Sequence, residues 1–428
     1  MKLNANVATN SIHTISLNYE HPTIKFTIFP LYLHAMNTIK SSSLLLLLFL
    51  LLQQCSPQQK QQSETTWPGE TWATSTPEAE GLDAAVIASI HTDITNGKYG
   101  LIDEFLLIRH GKVVASHHYK QNYDSIAKQY DTIPNMYNYD DPEWHPYHHR
   151  SNLHSLQSVT KSVTSVALGI AMDEGKLGDV NTHPMELFTG YTQDFTDPLR
   201  KAITLEDLLT MRSGIDWNEA GSYESDENSC IIMERSDAWI QYVLSRPMRE
   251  DPGTRWDYNS GVSMLLGKLV GIATGTRVDA WTEEKLFKPL GIKNYFWKTT
   301  PDNEVDTEGG LYLSAEDLAR IGYLFLHDGL WGEKQIVSKQ WVKQSVTSVV
   351  ADINPSNAKV DTGYGYQWWV PSANPFIYAC NGYGGQFLMV APEYDLVVVF
   401  NGWNIHYDEH SLSSFDALKD RIIPAVLK

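Results

Sequence analysis

Apolar runs near the two ends of this chain read as strands while the long middle reads as helix, and that arrangement limits the folds open to it. Towards the start, "EFLLIRHGKVVASHHY" places two apolar runs around a His-Gly-Lys turn, a β-hairpin pattern. Towards the end, "FIYAC", "QFLMVA" and "LVVVF" are separated by "NGYGG" and "PEYD", which reads as antiparallel strands with tight connections. From residue 155 to about 345 the pattern is mostly helical. One sheet built from both ends, with a helical part inserted between, satisfies these signals. Residues 120–150, rich in Tyr, Asp, Pro and His, read as a long irregular loop.

The first 75 residues read differently. "MNTIKSSSLLLLLFLLLQQC" has Lys40, an apolar run from Leu44 to Leu52 and then Cys55. The run is short for a bilayer span and fits the core of a signal peptide. Residues 1–35 read as an upstream extension before a start at Met36, 36–55 as the signal peptide, 56–75 as a Gln/Ser/Thr/Pro-rich tether and 76–428 as the folded domain. Cys55 followed by polar residues resembles a bacterial lipoprotein signal, although two glutamines precede it where small residues are usual. The expectation is an exported protein, periplasmic or held to a bacterial membrane by a lipid on Cys55. A net charge of −18 argues against nucleic acid and anionic membrane surfaces as partners. Cys230 and Cys380 lack the spacing of a zinc site and read as free thiols, with a disulfide between them left open.

The helical middle opens on "HSLQSVTKSVTSVALGIAMDEGKLGD", His154 to Asp179. Val159, Val163, Val166 and Ile170 make one apolar stripe, Ser155 is a candidate N-cap and Gly175 a terminator. Ser158 and Lys161 lie three apart, on a common face off that stripe. A serine hydroxyl is a weak nucleophile until a partner takes its proton. A lysine one turn away can do so if desolved, or can stay charged beside a second base. The free N–H groups at a helix start favour a developing oxyanion. The Ser-x-x-Lys pattern also occurs at 125–128 and 356–359, in polar, loop-like surroundings, so only "SVTK" at 158–161 opens a long apolar helix.

Two further segments bear on this one. "PGTRWDYNSG" sets Tyr258, Asn259 and Ser260 on a turn before the helical "VSMLLGKLVGIATG", and a core tyrosine is the plainer reading. "NGYGGQF" puts glycines ahead of an apolar strand, as an ordinary hairpin turn or as a place where backbone approaches a ligand.

In order and separation these three segments resemble the serine β-lactamase and penicillin-binding-protein family, near class C β-lactamases and their esterase and amide-hydrolase branch. "TLEDLLTMRSGIDW", "GGLYLSAEDLARIGYLFLHDG" and "GYGYQWWV" add to the resemblance, which covers residues 76–428. It implies an α+β fold, an antiparallel sheet flanked by helices with an inserted helical subdomain. It implies Ser158 as acylated nucleophile, Lys161 as its proton partner and Tyr258, as tyrosinate or Lys-linked phenol, as the general base. The oxyanion hole would be the backbone N–H groups of Ser158 and Gln386. Two positions depart from the pattern. Ser260 stands third in the Tyr-x-Asn motif with Asn259 in the middle, and Tyr383 replaces the lysine of the strand motif, ahead of Gly384 and Gly385. Asn259, Ser260, Tyr383, Gly384 and Gly385 are therefore candidate substrate contacts only. A phenol supplies no cation for a penicillin carboxylate, so an uncharged ester or a small linear amide fits better than a β-lactam.

The resemblance calls for no metal or organic cofactor. "HPYHH" with His117, His118 and His154 has irregular spacing and no paired carboxylate, and reads as surface or cleft-rim residues. The aromatic segments 136–149 and 364–369, with Trp403, read as packing or as walls of an acyl pocket. The expected partner is a small-molecule ester or amide. A β-lactamase or D-alanyl-D-alanine carboxypeptidase, and a non-catalytic module that binds a ligand in the cleft, stand as alternatives.

Overall fold

The structure is a computed structural model. It describes residues 65–427, apart from 127, 129–144, 193–195, 222, 224, 352, 354–362 and 406–411. The leader, Cys55, the second Ser-x-x-Lys at 356–359 and most of the aromatic segment 136–149 lie outside the described residues. No helix among those described is long and apolar enough to cross a membrane.

The strands in chain order are β1 (Ala73–Thr74), β2 (Ile102–Arg109), β3 (Lys112–His118), β4 (His154–Ser155), β5 (Phe296–Trp297), β6 (Leu311–Leu313), β7 (Leu330–Trp331), β8 (Lys334–Gln335), β9 (Val350–Ala351), β10 (Gly363–Tyr364), β11 (Trp369–Ala373), β12 (Phe376–Gly382), β13 (Gln386–Ala391) and β14 (Leu396–Gly402). Nine of them form one sheet in the order β1-β3-β2-β14-β13-β12-β11-β10-β9. The expected hairpin is β2–β3, turned by His110 and Gly111 at φ of 51° and 71°, the left-handed pair a tight hairpin needs. Strand β14 runs antiparallel to β2, with Phe400 opposite Phe105, so the two ends of the chain do share one sheet. Its pairs are antiparallel except at one edge, where β1 lies parallel to β3.

Four long helices frame this sheet: α1 (Ala84–Thr95), α2 (Val159–Asp173), α3 (Ser260–Thr274) and α4 (Ala315–Leu326). Helix α1 is capped by Asp83, whose side chain accepts from the Ala85 and Val86 N–H groups. It covers one face of the sheet through Ile87, Ile90 and Ile94 in a core shared with Phe105 and Phe400. The opposite face meets α2 and α4, and α2 also packs on α3 in the inserted helical part.

The structure revises three sequence expectations here. Residues 65–75 do not belong to a tether. Trp67 and Trp72 pack edge-on against Tyr323 of α4 at ring separations of 5.5 and 5.4 Å, and β1 joins the sheet. The middle of the chain is not all helix, because β4, β5 and β6 make a small second sheet. Ser155 does not cap α2; it lies in β4, and the helix begins one turn later with Ser158 at the cap position. Gly175, at φ 69°, follows the helix end as expected.

Candidate active site

Helix α2 is buried almost all round rather than along one stripe. That follows from its composition, in which small Ser, Thr, Ala and Gly fill the faces between the valines. Ser158 takes the N-cap position but makes no capping hydrogen bond, so its hydroxyl is turned to other partners. The residue before it, Gln157, sits at φ 48°, a conformation uncommon for a side chain of this kind.

Upstream, β4 holds the approach to this turn. His154 is buried, with Nε2 3.0 Å from Asp103 Oδ2 and Nδ1 2.8 Å from the Ser155 carbonyl. Both ring nitrogens face oxygen atoms, an arrangement that favours the doubly protonated ring. Burial opposes that charge, but Asp103 outweighs it and raises the ring above its ordinary value. Tyr123 donates to the same carboxylate oxygen at 2.6 Å.

Lys161 is 1% exposed. Its Nζ donates to Ser158 Oγ at 2.8 Å, to the Glu308 carbonyl at 2.8 Å and to Glu308 Oε2 at 3.0 Å. It lies 5.2 Å from the Tyr258 ring centre. Burial disfavours the ammonium, but Tyr258, Glu308 and Glu219 outweigh it and hold the group charged, well above its ordinary range. Tyr258 and Ser158 line the same cleft, and the serine hydroxyl pulls the phenol downward. Ser158 and Lys161, one turn apart, are thus joined at the cleft by Tyr258 from 100 positions after the serine. Burial raises the Tyr258 phenol, and the downward pull of Lys161 does not overcome it. Of the two forms expected for this residue, this direction favours the protonated phenol at rest, with the Lys161 ammonium 5.2 Å from its ring centre.

The segment after Tyr258 serves other partners. Asn259 caps α3, its side chain accepting from Val262 N at 3.1 Å. Ser260 donates through Oγ to Glu219 Oε1 at 2.7 Å and through N to Glu219 Oε2 at 2.8 Å. Neither residue lines the cleft. Trp217 Nε1 and the Tyr223 hydroxyl complete the shell of Glu219 at 2.7 and 2.9 Å.

On the sheet side, Tyr383, Gly384 and Gly385 form the turn between β12 and β13, with both glycines at positive φ. Gly382 carries the close approach. A Cβ there would lie 2.3 Å from the Leu156 carbonyl, two residues before Ser158. Gln386 is buried opposite Gly382, and its side-chain amide bonds the Tyr383 carbonyl at 3.2 Å and Gly402. Its side chain is thus committed to the hairpin. Gly382→Ala is expected to force β12 off the nucleophile turn. The strain costs about 1–3 kcal/mol, and a misplacement of this order lowers kcat on the order of 10²-fold; thermal melts and ester kinetics on the variant check both.

The cleft above Ser158 has a volume of about 780 Å³. Its walls include Trp256, Tyr258, Trp369 and Phe387, with Tyr383 and the glycine turn at one side. Two arginines also line it. Arg249 bonds Asp257 and stands 3.6 Å from Asp216, and Arg255 is 3.1 Å from Asp257. The Tyr383 hydroxyl donates to the Ile405 carbonyl at 3.0 Å, and its ring lies 5.0 Å from that of Tyr223. Trp403, read as packing or as a wall, packs with Tyr123 and Ile405.

Among the described residues no histidine enters a grouping with metal-ligand spacing. His118 faces Glu104 at 3.3 Å, His148 stacks on Phe296 and His154 is held by Asp103. Among the described residues the grouping with metal-ligand spacing is Cys230, Glu234 and Glu308, all buried. Cys230 and Cys380 are both free and buried.

Sequence reasoning missed Glu219, Glu234 and Glu308. The quoted stretch "GGLYLSAEDLARIGYLFLHDG" begins one residue after Glu308, and a carboxylate directly before a glycine pair and an apolar strand was the signal available.

A buried helix start that presents a serine and a charged lysine, under a cleft closed by a glycine turn on an antiparallel strand, defines a serine-hydrolase type of site. The Beta-lactamase family profile matches residues 104–406, and the chain belongs to that family. The 6-aminohexanoate-dimer hydrolase of Paenarthrobacter ureafaciens is 26% identical over 272 residues, which cover 58% of this chain and 65% of that protein. The alignment thus spans just under two thirds of that relative. Among solved structures, EstCE1, a hydrolase with promiscuous acyltransferase activity, superposes with a TM-score of 0.58 at 15% identity, over 80% of this chain and 97% of that one. The octameric penicillin-binding protein homologue from Pyrococcus abyssi gives 0.55 at 18% identity, over 80% and 79%. These likenesses agree with the α+β fold described above.

Proposed function

We propose that this protein hydrolyses a carboxylic ester or a small linear amide through an acyl-enzyme on Ser158. The observation that carries the reading is the 2.8 Å contact of Ser158 Oγ with Lys161 Nζ, with the Tyr258 ring centre 5.2 Å from that nitrogen and both Ser158 and Tyr258 lining the cleft. In this reading Tyr258 acts in its ionised form: Ser158 Oγ attacks the substrate carbonyl carbon, and its proton passes to the Tyr258 oxygen. The carbonyl oxygen gains the electron pair and is met by the backbone N–H groups of Ser158 and Gln386; one such donor is worth about 3 kcal/mol in a transition state. Tyr258 then returns the proton to the leaving group and later activates water against the acyl-enzyme.

The cleft walls support an uncharged substrate. Tyr383 offers a phenol already bonded to a main-chain carbonyl, and Arg249 and Arg255 share Asp257. Aromatic rings supply much of the remaining surface, which suits an apolar acyl or leaving group. The relative named a 6-aminohexanoate-dimer hydrolase supports the amide half of the proposal.

A panel of p-nitrophenyl esters, 6-aminohexanoate dimer and nitrocefin tests this. Turnover of an ester or the dimer, with nitrocefin hydrolysed at least about 10²-fold more slowly, is expected. Nitrocefin turnover exceeding both would replace the proposal with a β-lactamase.

A further inference from the structure

Behind Lys161 lies a buried group of acids that the reaction above does not use. Glu308 Oε2 accepts from Lys161, while ligand atoms of Glu308, Glu234 and Cys230 lie within 4.8 Å of one another. Glu234 comes from the helix Ser229–Glu234 and is 3% exposed; its Oε1 is 3.8 Å from Cys230 Sγ. The turn that carries Glu308 is rigidly built. Asp306 accepts from the Glu308 and Gly309 N–H groups at 3.2 and 3.0 Å, Thr307 donates to the Ser263 carbonyl at 2.9 Å, and Thr160 of α2 accepts from Leu311 N at 3.1 Å. The carboxylate is thereby fixed from both α2 and α3.

This geometry decides between two ways of using Lys161. All three protons of the ammonium are committed: one to Ser158 Oγ, one to the Glu308 carbonyl and one to its carboxylate. An ammonium that donates to the serine oxygen does not also accept the serine proton. We propose that Glu308 is a positioning residue: its carboxylate holds Lys161 as a donor to Ser158 Oγ and so leaves Tyr258 as the group that takes the Ser158 proton. The proposal rests on the hydrolase reading above. In the step concerned, the Ser158 O–H bond breaks, its proton passes to the ionised Tyr258 oxygen, and the Oγ lone pair forms the bond to the carbonyl carbon.

The charges around the pair fit this assignment. Burial raises Glu308, but the charge and hydrogen bond of Lys161 bring it below its ordinary value. Glu234 is pushed well above the usual range by burial and by the charge of Glu308, which favours its neutral form. Burial likewise keeps the Cys230 thiol protonated. Glu219 faces the pair from the cleft side and is raised by burial against the pull of Lys161. Asp306, on the same turn as Glu308, is raised to about 7 by burial and by Glu308, with Lys298 opposing. Glu308 and Glu219 both disfavour ionised Tyr258. Removing the charge of Glu308 while keeping an acceptor there must therefore ease ionisation of the Lys161–Tyr258 pair.

The test is the rate of Ser158 labelling by a fluorophosphonate, followed against pH in the full chain, for wild type, Glu308→Gln and Glu234→Gln. Labelling is expected to rise with pH in the wild type. In Glu308→Gln the rising limb moves to lower pH by about one unit or more, the effect of losing one charge at this range. In Glu234→Gln, which replaces a neutral acid by a neutral amide, the limb stays where it was. Superimposable profiles for wild type and Glu308→Gln would overturn the role of Glu308 and leave the hydrolase reading standing. Absence of labelling in the folded wild type would remove the nucleophile, and this proposal with it. A shifted limb in Glu234→Gln would place the controlling charge on Glu234 and overturn the proposal even if Glu308→Gln fails to fold.

Discussion

Ser158→Ala is expected to abolish ester hydrolysis and fluorophosphonate labelling, with kcat lowered by on the order of 10³- to 10⁶-fold, while the protein stays folded. The two halves of this result have separate causes. Chemistry is lost because the hydroxyl is the group placed under both Lys161 and Tyr258. Stability is kept because Ser158, although at the N-cap, makes no capping hydrogen bond to lose. Lys161 gives up one acceptor and keeps two on Glu308, a change of about 1 kcal/mol. Hydrolysis that survives the substitution, measured beside an unchanged melting curve, would place the nucleophile elsewhere.

Lys161→Met is expected to differ by damaging both properties. It removes the cation from a pair in which the side chains are 1% and 8% exposed, and leaves Glu308 without its counter-charge. Breaking a buried pair in this way costs about 3–5 kcal/mol, read as a shift in the denaturant midpoint. The pH dependence carries a sign that identifies the cause. In the wild type the folded state lowers Glu308, so its contribution is present above the ordinary carboxylate range and is lost on acidification. Without Lys161, burial is unopposed and raises the same carboxyl, so the variant gains stability as the pH falls. The gap between the two proteins should therefore narrow in acid. Adding Glu308→Leu to Lys161→Met should recover most of the stability and none of the activity. A gap that stays constant with pH would mean that Lys161 acts through packing alone.

Much of this architecture was legible because it rests on local patterns. The His110-Gly111 hairpin, the three apolar strands near the end and the helix that follows Ser158 each have turn or periodicity signals of their own. Tyr258 could be placed because its segment stands at a fixed order among two others. The carboxylates behind Lys161 could not. An acid is most often a solvated residue, and Glu308 reaches its partner across 147 positions. Nothing near it in sequence says that it is buried. The same limit explains residues 65–75, whose tryptophans find α4 some 250 residues away, and Ser155, where pairing in β4 overrode a reasonable capping signal. The missing amide at Ser260 shows the converse. The departure was visible in the sequence, but its meaning, a hydroxyl bonded to Glu219, required the fold.

The order of strands also has a consequence for how the molecule is made. Strand β2 is synthesised early, yet its neighbour on the inner side is β14, some 290 residues later. Until that last long strand is made, the hairpin β2–β3 exposes an unpaired apolar edge, and the surface of β2, β13 and β14 on which α4 rests stays open. Helix α2, with Lys161, rests on β12 and β13, whereas α4 waits for β14. A nascent chain halted before residue 396 would carry all of Ser158, Lys161, Tyr258 and Glu308 with the sheet still in two pieces.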